Sequence, residues 1–383
     1  MARYLAILCA AALLTVAGCG GGGPATAPRT PVVVDTDMGP DDALALLYLV
    51  SRHDLDVRAV AVSGTGLATC PAGAKRALEL LAAAGRPDIP VACGRSDPLS
   101  GFNAFPPAWR DPLAAIPLPA VARKPDPRGA VRLLDDAIAS ADRGVVLVAL
   151  GPLTDVAQLL RSSPAASRRI AAVRAMAGTF AAPGNIGAGH EGAEYNVWID
   201  PSAADAVLRG TVPVTLVGLD ATNDVPVTVF FAEALHRYHY ATPAAALAWE
   251  IVADTGMQTG GRYFWDALAA AAPRAVSLRT ERLRATGAGR IVRDGSRPPA
   301  RIATAADHER FERDLLRTLL GGAPFTLPPT SVDATITCTS TGCGYRGPTE
   351  SPQAGQAVFD TVNRSGAAMT HVLGRLHEGR TAA

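Results

Sequence analysis

Four carboxylates fall within eight residues in Val32-Val33-Val34-Asp35-Thr36-Asp37-Met38-Gly39-Pro40-Asp41-Asp42. The β-branched run before them predicts a buried strand, and the apolar stretch 43–50 predicts a helix, which makes Met38-Gly39-Pro40 the turn between the two. Anions crowded at a strand end repel and raise one another's pKa unless a cation sits among them. All-oxygen donor sets suit Ca2+ or Mg2+, and the carboxyl end of a strand is where open α/β sheets bind ligands. A plainer reading is an acidic turn capping the helix through Asp41 and Asp42. It leaves Asp35 and Asp37, both on the strand, without a purpose.

Further chemistry-bearing blocks follow in order. A strand-like segment, 145–150, runs into Gly151-Pro152-Leu153-Thr154-Asp155. Then come Met176, Asn185, Glu194-Tyr195-Asn196-Val197-Trp198-Ile199-Asp200-Pro201 and Phe264-Trp265-Asp266-Ala267-Leu268-Ala269. The pattern Asp35-x-Asp37-x-Gly39-x-Asp41-Asp42 resembles the N-terminal signature of the nucleoside hydrolases, Ca2+-dependent enzymes that cleave the N-glycosidic bond of ribonucleosides. The later blocks are similar to that family's segments in the same order, across about residues 31–320. Asp155 departs from the family's Asn.

Such a reaction passes through an oxocarbenium-like sugar and needs an activated water, help for the departing base and grips on the ribose hydroxyls. The resemblance implies that Asp37, Asp42, Asp266 and the carbonyl of Leu150 ligate Ca2+, with Asp37 also the general base. It places Asp41 on the ribose 2′- and 3′-hydroxyls, with Asp35 orienting the cluster from behind. Asn185, Glu194 and Asn196 match residues that grip the 3′- and 5′-hydroxyls, and Met176 belongs with this substrate-binding set. The two-residue spacing of Glu194 and Asn196 puts both on one face of an extended segment. Many members carry His directly before the last metal Asp; here that position is Trp265, as in purine-specific members, where it stacks on the base. Trp109 in the aromatic loop 101–109 offers a second wall, and His190 is a remote candidate for a leaving-group acid. Trp198 and Trp249 read as core. Thr65 stands where the family often has Asn beside the metal.

Composition is that of a globular enzyme: 48% hydrophobic, 19% charged, net charge +1. A near-neutral chain gives no electrostatic reason for a nucleic-acid or anionic-membrane partner. Residues 1–18 read as a lipoprotein signal peptide, with Arg3 ahead of a short apolar run and Val16-Ala17-Gly18-Cys19 resembling a lipobox. Cys19 would carry the lipid, residues 19–30 form a flexible tether, and the enzyme would stand off the outer face of a bacterial membrane. An exported protein can hold disulfides. Cys70, Cys93, Cys338 and Cys343 allow three connectivities. Cys338 and Cys343 are near enough in sequence to close a small loop, leaving Cys70 for Cys93; isolated pairs without spaced His argue against zinc.

Strand and helix signals alternate from 57–62 to 212–217, the rhythm of a mostly parallel open sheet with helices on both faces in a single α/β domain over 31–321. Helices are expected at 230–238, 244–255 and 307–320. The extension 322–383 has no functional reading, though 354–376 carries a loose helical pattern. Haloacid dehalogenase-like phosphatases also begin with Asp-x-Asp but do not account for Glu194-x-Asn196 or Trp265-Asp266. An inactive nucleoside-binding lipoprotein is the remaining alternative, separable by turnover; a homo-oligomer is also compatible.

Overall fold

The computed structural model describes residues 28–257 and 261–326, together with the backbone of two short strands at 335–339 and 342–346. Residues 1–18, expected to be a signal peptide, Cys19 and the helical pattern at 354–376 lie outside the described residues.

The opening run becomes β1 (Thr30–Thr36) and the apolar stretch becomes α1 (Pro40–Ser51). There follow β2 (Leu55–Val62), α2 (Cys70–Ala83), β3 (Val91–Cys93), α3 (Ala130–Ala139), β4 (Val145–Ala149), α4 (Thr154–Ser162), α5 (Pro164–Arg169) and β5 (Ile170–Ala175). The second half contains α6 (Tyr195–Ile199), α7 (Pro201–Arg209), β6 (Val214–Leu216), α8 (Leu219–Thr222), α9 (Val229–Tyr238), α10 (Pro243–Asp254) and α11 (Trp265–Ala271). It ends with β7 (Val276–Ala285), β8 (Ile291–Arg293), β9 (Pro299–Ala306), α12 (His308–Leu319) and the hairpin β10 (Thr335–Thr339)–β11 (Gly342–Arg346).

Nine strands form one sheet in the order β3-β2-β1-β4-β5-β6-β9-β7-β8. All pairs run parallel except β9–β7 and β7–β8. Alternate residues face two separate cores. Val32, Val34, Val60, Val62, Val146 and Val148 pack with α1, α2, α10, α11 and α12, whereas Val33, Ala59, Ala61, Leu147 and Ala149 pack with α3, α4, α5 and α7. A sheet covered on both faces explains why these strands read as continuous apolar runs. Helix α1 is buried from Asp41 to Leu49, as an all-round apolar helix must be.

The antiparallel hairpin β7–β8 escaped the sequence reading because β7, Val-Ser-Leu-Arg-Thr-Glu-Arg-Leu-Arg-Ala, is largely exposed and shows no buried periodicity. The helices α5, α6, α8 and α11, of four to seven residues, are too short to display a helical repeat. Cys70 and Cys93 are joined by a disulfide. Cys338 and Cys343 stand directly opposite each other in the β10–β11 register, but their side chains lie outside the described set.

Candidate active site

The chain runs from β1 outward to β3, then returns to place β4 on the other side of β1. This reversal falls at the carboxyl ends of β1 and β4, and sheets of this kind bind ligands at such a point. The four N-terminal carboxylates lie there. The Leu150 N–H donates to the main-chain oxygen of Asp35 at 2.8 Å, tying the two strand ends together.

Asp42 does two jobs at once. Its Oδ1 accepts from the Asp37 N–H at 3.0 Å and from the Thr36 hydroxyl, and its Oδ2 accepts from the Gly39 N–H at 3.0 Å. The last bond caps α1 from its third position, so the helix-capping reading is realised together with the cluster. The turn requires Met38 at φ 55°, a left-handed conformation that a buried non-glycine residue adopts only when its surroundings enforce it. Asp37 Oδ2 accepts from the Leu67 N–H at 3.0 Å. Gly66 lies so close that a Cβ there would come within 2.1 Å of the Asp37 side chain.

Asp266, the second residue of α11, arrives from the far end of the chain. Carboxylate oxygens of Asp41, Asp42 and Asp266 lie within 4.8 Å of one another, and Asp37 stands against Asp42. Burial, then the neighbouring Asp42, holds Asp37 well above the usual carboxylate range. Burial followed by Asp41 and Asp42 does the same to Asp266, and burial with Asp42 pushes Asp41 up to about 6. Beside them Asp35 is wholly buried with neither side-chain oxygen hydrogen-bonded among the described residues, its carboxyl raised by burial and then by Asp155. Burial pushes Asp155 itself up to about 6.

Around this cluster the Leu150 carbonyl accepts from Asn196 Nδ2 at 2.9 Å, which also donates to the Met176 carbonyl at 3.0 Å. A carbonyl has a second lone pair, so Leu150 can still face a ligand. The extended reading of Glu194 and Asn196 needs correction. Glu194 is the N-cap of α6 and Asn196 lies inside that helix. Glu194 accepts from the N–H groups of Asn196 (2.9 Å), Val197 (3.3 Å) and Gly178 (2.7 Å). A carboxylate poised to satisfy a helix start overrides the strand-like spacing. Asn185 Oδ1 accepts from the Tyr195 N–H at 3.1 Å, bringing the Gly-rich loop to the same segment.

The aromatic candidates divide into separate ring clusters. Trp109, 51% exposed, tilts against Tyr195 at 5.6 Å, and Phe105 stacks on the same Tyr195 ring at 4.7 Å. Trp265, half-buried beside Asp266, pairs with Tyr263 at 5.5 Å and has its Nε1 buried without a partner among the described residues. Trp198 is not plain core: its ring meets Tyr195 and the exposed His190, the latter edge-on at 5.3 Å. Trp249 packs against the core and stacks on His236. Thr65 is buried and hydrogen-bonds Ser63 at 2.8 Å and Thr154 at 3.3 Å. The sequence reading passed over Thr36, Gly66 and Tyr195. For Thr36 and Tyr195 the signal was their place between predicted site residues; for Gly66 the local sequence held none.

Residues 32–313 match the family model described as inosine-uridine preferring nucleoside hydrolase. The chain belongs to this family. A Photobacterium profundum protein named pyrimidine-specific ribonucleoside hydrolase RihA is 36% identical over 195 residues, covering 50% of this chain and 61% of that relative. The crystal structure of the inosine-uridine preferring nucleoside hydrolase from Bacillus anthracis superposes with a TM-score of 0.65 at 23% identity, covering 76% of this chain and all of that one. The purine-preferring ribonucleoside hydrolase from Gardnerella vaginalis gives 0.64 at 22%, over 76% and 99%. These two likenesses establish the fold.

The donor set fits a hard divalent cation. It consists of carboxylates and a carbonyl, the charges acting on Asp37 and Asp266 are fellow carboxylates, and Asp266 Oδ1 has no hydrogen-bond partner among the described residues. The raised pKa values have a sign. A carboxyl whose folded pKa lies above its unfolded value stabilises the fold at acid pH, and that stability is lost as pH rises through the folded pKa, here about 6 for Asp41 and Asp155. A bound cation offsets the loss, by about 2.7 kcal/mol at a hundredfold excess over Kd. Metal-free protein should therefore lose thermal stability between about pH 4 and pH 7, and Ca2+ should raise Tm by several degrees at about pH 7.5 but little at about pH 4. Scanning calorimetry with and without chelator checks this; a Ca2+ effect independent of pH would contradict it.

Proposed function

We propose that this protein hydrolyses the N-glycosidic bond of ribonucleosides to free base and ribose with the help of Ca2+. The observation that carries the reading is the convergence of Asp41, Asp42 and Asp266, with Asp37 against Asp42, at the reversal point of a nucleoside hydrolase-family sheet. Asp37, Asp42, Asp266 and the Leu150 carbonyl would hold the ion, whose charge lowers the pKa of an attacking water. Asp37, fixed by the Leu67 N–H, takes that water's proton. Asp41 accepts from the ribose 2′- and 3′-hydroxyls. Asn185, Glu194 and Asn196 line the ribose side with Met176, and Asp35 would act on the cluster through its charge beside Asp42 rather than through a hydrogen bond. The catalytic unit is residues 31–321, tethered through residues 19–30 to a lipid on Cys19 at the outer face of a bacterial membrane.

Trp265 next to Asp266 supports a preference for purines, since a stacked purine is more readily protonated as it departs, and Trp109 would close the other side. The pyrimidine-specific name of the Photobacterium relative favours the opposite preference. The deciding experiment is release of base from inosine, guanosine, adenosine, cytidine and uridine by protein lacking residues 1–19, with and without chelator. Chelator-sensitive release is expected; tight nucleoside binding without release under added Ca2+ would show a binding protein instead. Asp37→Asn should lower kcat by about 10²–10⁴-fold, the usual worth of a positioned base, and near-normal turnover would remove Asp37 from that role. Trp265→Ala should depress purine kcat/KM more than that for uridine; equal losses would eliminate stacking.

A further inference from the structure

Two loops close behind the acidic cluster, and one covalent bond joins them. The first, residues 64–69, brings the Leu67 N–H to Asp37 Oδ2 at 3.0 Å and the Ala68 N–H to the Asp37 main-chain oxygen at 2.9 Å. The second begins at Gly94 and brings the Arg95 N–H to Asp155 Oδ1 at 3.2 Å. A Cβ on Gly94 would lie 1.6 Å from Asp155 Oδ2, so backbone and carboxylate are in direct contact there. Asp155 is the charge that bears most on buried Asp35. Cys70, the first residue of α2, closes the first loop, and Cys93, the last residue of β3, opens the second; their disulfide ties the two. The loops also touch, since a Cβ on Gly64 would meet the Arg95 carbonyl at 2.8 Å.

Movement of either loop away from the cluster would withdraw these backbone donors, the Leu67 N–H from Asp37 and the Arg95 N–H from Asp155. Besides the packing of buried Ala68, the first loop is held by polar bonds: Arg110 donates to the Gly64 and Ala68 carbonyls, Thr69 donates to the Asp111 carboxylate, and the Asp111 N–H donates to the Leu67 carbonyl. Water competes with bonds of that kind. The disulfide, with Cys70 3% exposed, is a tie that water does not weaken. We propose that the Cys70–Cys93 disulfide is a positioning element of the site, keeping the Leu67 and Arg95 N–H groups on Asp37 and Asp155. Its bearing on catalysis rests on the role given to Asp37 above; its bearing on the loops does not.

A dithiol reductant supplies two electrons, breaking the S–S bond to leave two thiols while the reductant becomes its own disulfide. The test follows amide hydrogen exchange in oxidised protein, in protein reduced with dithiothreitol, and in Cys70→Ser/Cys93→Ser. Exchange at Leu67, Ala68 and Arg95 should accelerate roughly ten-fold or more, while amides of β1 and β4 stay protected. The half-saturating Ca2+ concentration, titrated directly, should rise in parallel. Unchanged exchange at those three amides overturns the proposal, as does a uniform acceleration through the core, which marks lost global stability rather than lost positioning. Should the variant not fold, the reduced wild-type protein decides. Should the oxidised protein neither bind Ca2+ nor release base, the proposed activity fails, and amide exchange still decides the brace.

Discussion

The structure is organised around the repulsion of carboxylates packed into a nearly dry crevice. Asp35, Asp37, Asp41, Asp42 and Asp266 are all buried, and charges desolvated at this density are costly unless dipoles or a cation meet them. The fold answers with backbone N–H groups from Asp37, Gly39 and Leu67, the Thr36 hydroxyl and the positive end of α1. What these donors leave uncompensated is the negative potential that a divalent ion would satisfy. The same potential makes the site expensive in the absence of an ion.

That cost can be borne because the scaffold beneath it is rigid. β1 lies between β2 and β4 and is covered on both faces, and α1 is buried along almost its whole length. A turn with Met38 in a left-handed conformation would relax in a mobile loop; between a central strand and a buried helix it is held. The reversal of strand order then puts the end of β1, its sides paired to β2 and β4, where sheets of this kind bind ligands.

Around the cluster, the polar residues predicted for substrate also assemble the walls. Glu194 caps α6, Asn196 ties the Leu150 and Met176 carbonyls, and Asn185 accepts from Tyr195. Residues already locked by structural hydrogen bonds lose little freedom when a ligand arrives, which is the physical benefit of such double use.

The amino-acid sequence by itself determined the parts whose signals are local: the buried strands, the long helices, the Asp35–Asp42 turn and the identity of the acidic and aromatic candidates. Hydrophobic period and turn chemistry act over a few residues, so they are legible without the fold. Other features depended on how distant segments meet. Asp266 joins Asp41 and Asp42 only because α11 packs on α1, and Asp155 reaches Asp35 only because β4 pairs with β1. The Glu194 cap escaped the spacing argument because a two-residue interval does not distinguish a strand from a helix start, and the hairpin β7–β8 escaped because an exposed, charged edge carries no burial pattern. Residue type and local period are written along the chain, whereas proximity between remote carboxylates is settled only when the sheet order is settled, since that order decides which strand ends share a crevice.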